Sequence, residues 1–303
     1  MKSIEVPAFA KINLRLEIFG RRPDGYHELR TIFQSLNLHD SLRIELTKGR
    51  GIQLQVEGNP ELAAASAKDN LVYRALEALQ SELQLSGGIR VELRKRIPAG
   101  RGMGGGSSDA AAALAGLMRL SGKRIAAESL MRIAAGLGAD VPYFLSGGRT
   151  LGISRGDEIY PLPDLPRQPV VVVSPRDIGV NTREAYGWVA DALTTPAAPP
   201  RLWAFCALCW SPSGGALKND FEAPVFRRFA RLESIKRRLL EQGAADASLA
   251  GSGSAVFGVF HSPAKARRAA RVFPEDVVFL CATLSRKAYS RALWGTRGPL
   301  WQP

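Results

Sequence analysis

The chain has 303 residues, 46% of them hydrophobic, enough to bury one large core or two ordinary ones. Its formal net charge of +13 argues for anionic partners, yet the basic residues are spread along the chain without a long Lys/Arg tail, which speaks against nucleic acid. The longest apolar run, Ala110 to Met118, is far too short for a membrane span, no apolar signal core opens the chain, and three cysteines make no disulfide framework, so cytoplasm is expected.

In chain order, residues 4–19 alternate as strands do, and Arg22-Pro-Asp-Gly25 reads as a tight turn between extended segments. Ser41–Leu46, Ile52–Val56 and Ile89–Leu93 are further strand candidates. Asp69 is placed to cap a helix whose Leu71, Ala75, Leu76, Leu79 and Leu83 share one face, stopped at Gly87-Gly88. A helix over Ala126–Leu137, the turn Gly138-Ala-Asp-Val-Pro142 and a glycine-rich hairpin to about Ile159 complete a mixed α+β unit. The proline-rich stretch Pro161–Pro166 marks the expected boundary, dividing the chain into 1–160 and 161–303. Beyond it come a buried-strand run at Val170–Val173 and a helix from Thr182, capped by Asn181 with Glu184 three residues later. A loop over Thr194–Pro200 leads to helical patterns at Trp203–Trp210 and Asp220–Glu241. Strand, turn and strand follow over Ala247–Phe260. A helix at Pro263–Val272 and a strand at Val277–Ala282 close a second α/β layer. Cys206 and Cys209 form a C-x-x-C, but with no second cysteine pair and three scattered histidines they read as packing groups, and no metal site is assigned.

The segment with the most chemistry is Pro98, Ala99, Gly100, Arg101, Gly102, Met103, Gly104, Gly105, Gly106, Ser107 and Ser108, followed by a helix-forming Asp109-Ala-Ala-Ala-Ala-Leu114. Glycines leave successive backbone N–H groups free to converge on one anion, and the positive end of a helix dipole meets them there. Strand, glycine loop and helix make a phosphate cradle. No Gly-Lys-Ser/Thr closes it, so it is not a Walker loop. Ser107 and Ser108 stand where they can bond a phosphate oxygen or a magnesium ion, or cap the helix. Arg101 and Met103 add bulk within the loop.

Three motifs stand in order: Pro7-Ala-Phe-Ala-Lys-Ile-Asn-Leu14, the glycine loop, and Gly251-Ser-Gly-Ser-Ala-Val-Phe257. Together they resemble the GHMP kinases, the family of galactokinase, homoserine kinase and mevalonate kinase. Arg22-Pro-Asp-Gly-Tyr-His-Glu-Leu29, Gly138–Pro142 and Asn219-Asp220 point to one branch of it, and Arg22–Leu29 is absent from GHMP kinases in general. The resemblance implies an α+β fold of two domains. The N-terminal one is nucleotide-binding and similar to the second domain of a ribosomal small-subunit protein; the C-terminal one is ferredoxin-like, with the site between them. It implies ATP as phosphoryl donor, magnesium with it, and a small-molecule acceptor carrying a cytidine diphosphate. A monomer or homodimer is expected. By resemblance Asp140 is the base and Lys11 its neighbour; read alone, the one could cap a helix and the other could be a surface charge. A strand puts Asn13 on the face of Lys11, near the substrate. The resemblance assigns Tyr26 and His27 to cytosine, Tyr186 to a second ring against it, and Asn70 and Lys95 to the adenosine. Gly251, Ser252 and Gly253 form a small-residue turn able to reach the second diphosphate, or simply a tight hairpin.

Overall fold

The computed structural model describes residues 2–192, 216–296, 298, 299, 301 and 302, together with Ala207. The Thr194–Pro200 loop, the Trp203–Trp210 helix apart from Ala207, and the Cys206/Cys209 pair lie outside the described residues. Among the described residues, no helix is long and apolar enough to cross a membrane.

The first layer is a sheet whose two longest strands are β1 (Ser3–Arg21) and β2 (His27–Thr47). The strand candidate at Ser41–Leu46 is the end of β2, which pairs antiparallel with β1 almost throughout. After β3 (Ile52–Glu57) and the short helix α1 (Pro60–Ala64), α2 (Leu71–Glu82) buries Val72, Ala75, Leu76 and Leu79. Its cap is Asn70, not Asp69: the Asn70 side chain accepts from Val72 N at 2.9 Å, while Asp69 ends a single 3₁₀ turn. β4 (Gly88–Arg94) pairs with the distal half of β2, and α3 (Gly105–Ser121) follows. The apolar run is the buried middle of α3. A Cβ at Gly116 would stand 2.5 Å from Ile44 Cδ1, so glycine lets this helix sit directly on β2.

β5 (Ile125–Ala126), α4 (Ala127–Leu137), α5 (Val141–Ser146), β6 (Arg149–Ser154) and β7 (Glu158–Pro161) complete this unit, with β6 on the proximal half of β2. The sequence reading had no helix at α5.

The second layer opens with β8 (Pro169–Ser174) and α6 (Thr182–Ala192), which Asn181 caps as expected. β9 (Lys218–Asn219) returns to the first sheet beside β1. The single helix expected over Asp220–Glu241 is two, α7 (Glu222–Arg228) and α8 (Ala230–Glu241). Phe229, at φ −130° and ψ 72°, breaks them, and Asp220 is tied back to β1 by the Ile18 amide at 2.8 Å. β10 (Asp246–Leu249), β11 (Val256–Val259), α9 (Pro263–Ala269) and β12 (Val277–Ala282) finish the layer. Its strand order, β10-β11-β8-β12, with all neighbours antiparallel, is the ferredoxin-like arrangement.

A final helix, α10 (Arg286–Trp294), escaped the sequence reading; β13 (Trp301–Gln302) follows it and pairs with β5. α10 buries Tyr289, Leu293 and Trp294 in the first core rather than the second. The proposed 161–303 unit therefore gives its last helix back to the first: its apolar face meets Leu145 and Phe9 there. β1 links the layers. Val6, Ala8 and Phe9 pack in the first core, Ala10, Ile12 and Leu14 in a middle cluster, and Leu16 and Ile18 in the second. Being covered on both faces along much of its length, it shows no clean alternation of burial.

Candidate active site

The glycine loop leaves β4 and is already helical by Gly105, so α3 starts inside the motif. Gly104 is its cap at φ +71°, and a Cβ there would stand 2.6 Å from Phe144 Cζ and 3.2 Å from Lys11 Cγ. Only glycine fits this approach. The Lys11 amide donates to Met103 O at 3.0 Å, and the Met103 side chain is buried, which seats the loop on β1. Ser107 and Ser108 lie in the first turns of the helix, so neither caps it. Ser108 Oγ is buried with no hydrogen-bond partner among the described residues.

Beneath this cap, Lys11, Asn13 and Asp140 meet in one corner. Lys11 Nζ donates to Asn13 Oδ1 at 2.9 Å and stands 3.4 Å from Asp140 Oδ2. Asn13 Nδ2 donates in turn to Thr31 Oγ1 at 2.7 Å, and Thr31 to Arg15 O at 2.8 Å, which orients the amide. Phe33 lies 5.3 Å below the ammonium. Asp140 occupies the cap position of α5 but makes no capping bond; its carboxylate faces Lys11 and stays 33% exposed. β1 carries Lys11 and Asn13, β2 holds the Asn13 amide through Thr31, and the turn between α4 and α5 brings Asp140 up to them.

The turn 251–253 closes the corner from the second layer. A Cβ on Gly102 would overlap Ala250 O at 1.7 Å, and one on Gly253 would lie 2.2 Å from the Arg101 carbonyl carbon, so two bare backbones touch. Arg101 Nη1 donates to Ser254 Oγ at 2.6 Å, giving this bulky residue a clamping role. Asn219 Nδ2 holds Gly251 O at 2.7 Å and Leu249 O at 2.8 Å, while Ser252 Oγ reaches Thr182 Oγ1 at 3.1 Å. A Cβ on Gly251 would come 3.4 Å from Asn13 Oδ1, so this turn adjoins the Lys11 corner.

To one side, the His27 and Tyr186 rings stack at 4.7 Å and 18°, and Tyr186 meets Phe221 edge-on at 4.9 Å. His27 Nε2 is buried with no partner among the described residues. Burial, and then the charge of Arg21, holds the imidazole below its ordinary pKa, which favours the neutral ring. Burial also raises the Tyr186 phenol. Tyr26 does not join this stack: it is 53% exposed at the tip of a turn closed by Arg22 N to Tyr26 O at 2.7 Å.

Asn70 lines a cavity of about 300 Å³ with Leu54, Val56 and Leu62, although its side-chain oxygen is occupied by the α2 cap. Lys95 is sealed under the loop instead of facing solvent. It donates to Asp109 Oδ2 at 2.6 Å and to Asp40 Oδ2, whose other oxygen accepts from the Arg96 amide and, at 2.8 Å, the Ile97 amide. Burial alone would lower the Lys95 ammonium; the two carboxylates overcome it and leave it raised. Burial pushes Asp109 up to about 8 against the pull of Lys95. Sequence reasoning missed Thr31, Phe33, Asp40 and Asp109, because only strand register and helix docking bring them under the loop.

Among the described residues, no three His, Cys, Asp or Glu side chains gather to hold a metal. Comparison with known proteins adds the lineage. The GHMP kinases N-terminal domain matches residues 70–148 and the GHMP kinases C-terminal domain residues 202–278. The 4-diphosphocytidyl-2-C-methyl-D-erythritol kinase of Solibacter usitatus is 43% identical over 97% of this chain and 94% of its own length. That of Moorella thermoacetica is 42% identical over 92% of this chain and 99% of its own. A crystal structure of 4-(cytidine 5'-diphospho)-2C-methyl-D-erythritol kinase superposes with a TM-score of 0.77 at 35% identity, covering 92% of this chain and 99% of the other. An L. major mevalonate kinase, at 19% identity and a TM-score of 0.69 over 93% of this chain and 96% of its own, shares the fold. The chain therefore belongs to the 4-diphosphocytidyl-2-C-methyl-D-erythritol kinase family, a branch of the GHMP kinases.

Proposed function

We propose that this kinase transfers the γ-phosphoryl group of ATP to the 2-hydroxyl of 4-diphosphocytidyl-2-C-methyl-D-erythritol, a step of the non-mevalonate route to isoprenoid precursors. The observation that carries the reading is the Lys11–Asp140 pair, 3.4 Å apart and half-open, against the glycine turn at Gly104. Phosphoryl transfer asks a protein mainly for positioning and charge neutralisation, with one group to receive the hydroxyl proton. Asp140 takes that proton as the acceptor oxygen bonds the γ-phosphorus and ADP departs. Lys11, its ammonium anchored by Asn13, offsets the negative charge at the reacting oxygen.

The backbone amides of Gly100–Ser108 receive the triphosphate, and the cavity beside Asn70 receives the adenosine. Lys95 supports that region from below; it is sealed from solvent with two of its three donors on Asp40 and Asp109, so we assign it no direct bond to the nucleotide. His27 and Tyr186 hold the cytosine with Tyr26, and the 251–253 turn faces the second diphosphate. A magnesium ion arriving with ATP keeps phosphate and water oxygens as most of its ligands, and so does not require a carboxylate cluster among the described residues. The partnerless Ser108 hydroxyl fits as a protein oxygen beside it. When bound, the ion would neutralise phosphate charge. A monomer or a homodimer remains the expectation. A cytoplasmic location agrees with a chain of three cysteines whose Cys281 is a buried free thiol.

The test is ADP release with the purified chain, ATP and magnesium. Turnover is expected with the cytidylated diol and not with mevalonate or homoserine, with cytidine diphosphate competing against the diol. Turnover of mevalonate, or no competition by cytidine diphosphate, would overturn the acceptor assignment.

A further inference from the structure

The turn joining β6 to β7, Arg155-Gly-Asp157, takes no part in the reaction corner, yet it is built against the most exposed ring of the site. Ser154 ends β6 at φ +65°, a left-handed conformation that residues with a side chain adopt at a cost. That bend carries Arg155 back over the Tyr26 ring, its guanidinium carbon 4.8 Å from the centroid. Asp157 grips the same guanidinium: Nε donates to Oδ2 at 3.0 Å, and Nη2 donates to the same oxygen. Ser154 Oγ meanwhile accepts from Arg22 Nη1 at 2.9 Å, and Arg22 also pairs with Asp24 and Glu28. Leu29 lies opposite Ser154 in the sheet, so the hairpin and the Tyr26 turn are in register. One hairpin therefore holds the stem of the turn through Arg22 and covers one face of its ring through Arg155.

We propose that Arg155, held by Asp157, is a positioning residue that backs Tyr26 and sets its free face for stacking on the cytosine of the acceptor. This rests on the reading of Tyr26 as a base-holding ring. An exposed tyrosine samples several rotamers, and stacking a base on it must first select one. A planar guanidinium over the opposite face, itself clamped by a carboxylate, makes that selection beforehand.

The experiment is steady-state kinetics on the full chain, varying ATP and 4-diphosphocytidyl-2-C-methyl-D-erythritol separately, for Tyr26→Ala, Arg155→Ala, Arg155→Lys and the Tyr26→Ala/Arg155→Ala double variant. Arg155→Ala is expected to raise KM for the cytidylated substrate about two- to fivefold, the size of an exposed cation–π contact. kcat and KM for ATP should stay near wild type, and Arg155→Lys should recover only part of the loss. The double variant should be no worse than Tyr26→Ala alone. Losses that multiply in the double variant, or full recovery by lysine, mean that Arg155 acts by charge on the diphosphate, and the proposal fails. It fails equally if Tyr26→Ala raises KM while Arg155→Ala changes nothing. An unchanged KM in Tyr26→Ala would instead remove the base-holding reading itself, and the proposal with it.

Discussion

Lys11 and Lys95 both meet aspartate beside the glycine loop, one in the open and one sealed away. The Lys11 ammonium faces Asp140, whose carboxylate keeps 33% of its surface in solvent. Lys95, Asp40 and Asp109 keep 4% of theirs or less. In the sealed cluster, Lys95 and Asp40 direct their bonds at each other and at the backbone leaving β4, which ties strand, loop and α3 together. In the open pair, one carboxylate edge is left for a ligand. The residue types are the same, so access rather than composition separates a pair that a ligand can reach from one that only ties the fold together.

The largest effect that could break this contrast is Asp140→Ala, expected to lower kcat by about 10²–10⁴ with KM for ATP unchanged. A kcat within threefold of wild type would remove Asp140 from the reaction. Next comes Lys95→Met, which strands the buried Asp40 carboxylate and takes a hydrogen-bond donor from Asp109, and is expected to cost about 3–5 kcal/mol in urea unfolding. Lys11→Met should do the reverse, losing turnover while unfolding close to wild type. If Lys95→Met keeps its stability and loses turnover instead, the two lysines have been assigned the wrong way round.

Smaller effects sharpen the picture through pH. Burial holds the Asp109 carboxyl at about 8, against 3.8 for an ordinary aspartate. Between those values the folded protein keeps a proton that the unfolded chain releases. This group's contribution to stability is therefore full at the acid end and declines as pH rises toward 8. Asp109→Asn should be tolerated near neutral pH and should flatten that decline, read from urea midpoints at acid, neutral and mildly alkaline pH. A slope identical to wild type would mean Asp109 is ionised throughout. The smallest effect belongs to His27, whose lowered pKa runs the other way: the unfolded chain takes up a proton first as pH falls, so stability drops on the acid side. His27→Gln should remove that acid-side loss, checked by thermal unfolding from neutral pH downward.

Much of the fold was readable because its signals are local. The alternation of β1, the face of α2, the Asn181 cap and the glycine run each lie within a few residues. The misses share a cause. Asn70 displaced Asp69 as the α2 cap because a 3₁₀ turn absorbs Asp69, and Phe229 split the Asp220–Glu241 helix where its backbone leaves the helical region. The C-terminal helix α10 was invisible because its partners, Leu145 and Phe9, are far away in sequence. In the candidate site, Lys11 and Asn13 were legible as neighbours on one strand face. Their tie to Thr31 depends on a strand pairing shifted by bulges, which no spacing reveals.

The amino-acid order alone determined that a bare-backbone turn able to hold phosphate precedes a helix and that a lysine and an asparagine share a strand face; the two-domain kinase followed from the motifs' resemblance to the GHMP kinases. Folding in three dimensions decided the rest: that Gly102 and Gly253 touch, that Lys95 is sealed while Asp140 stays reachable, and that Arg155 lies on Tyr26. Backbone preferences act over a few residues, whereas burial and close approach are set by which distant segments pack together.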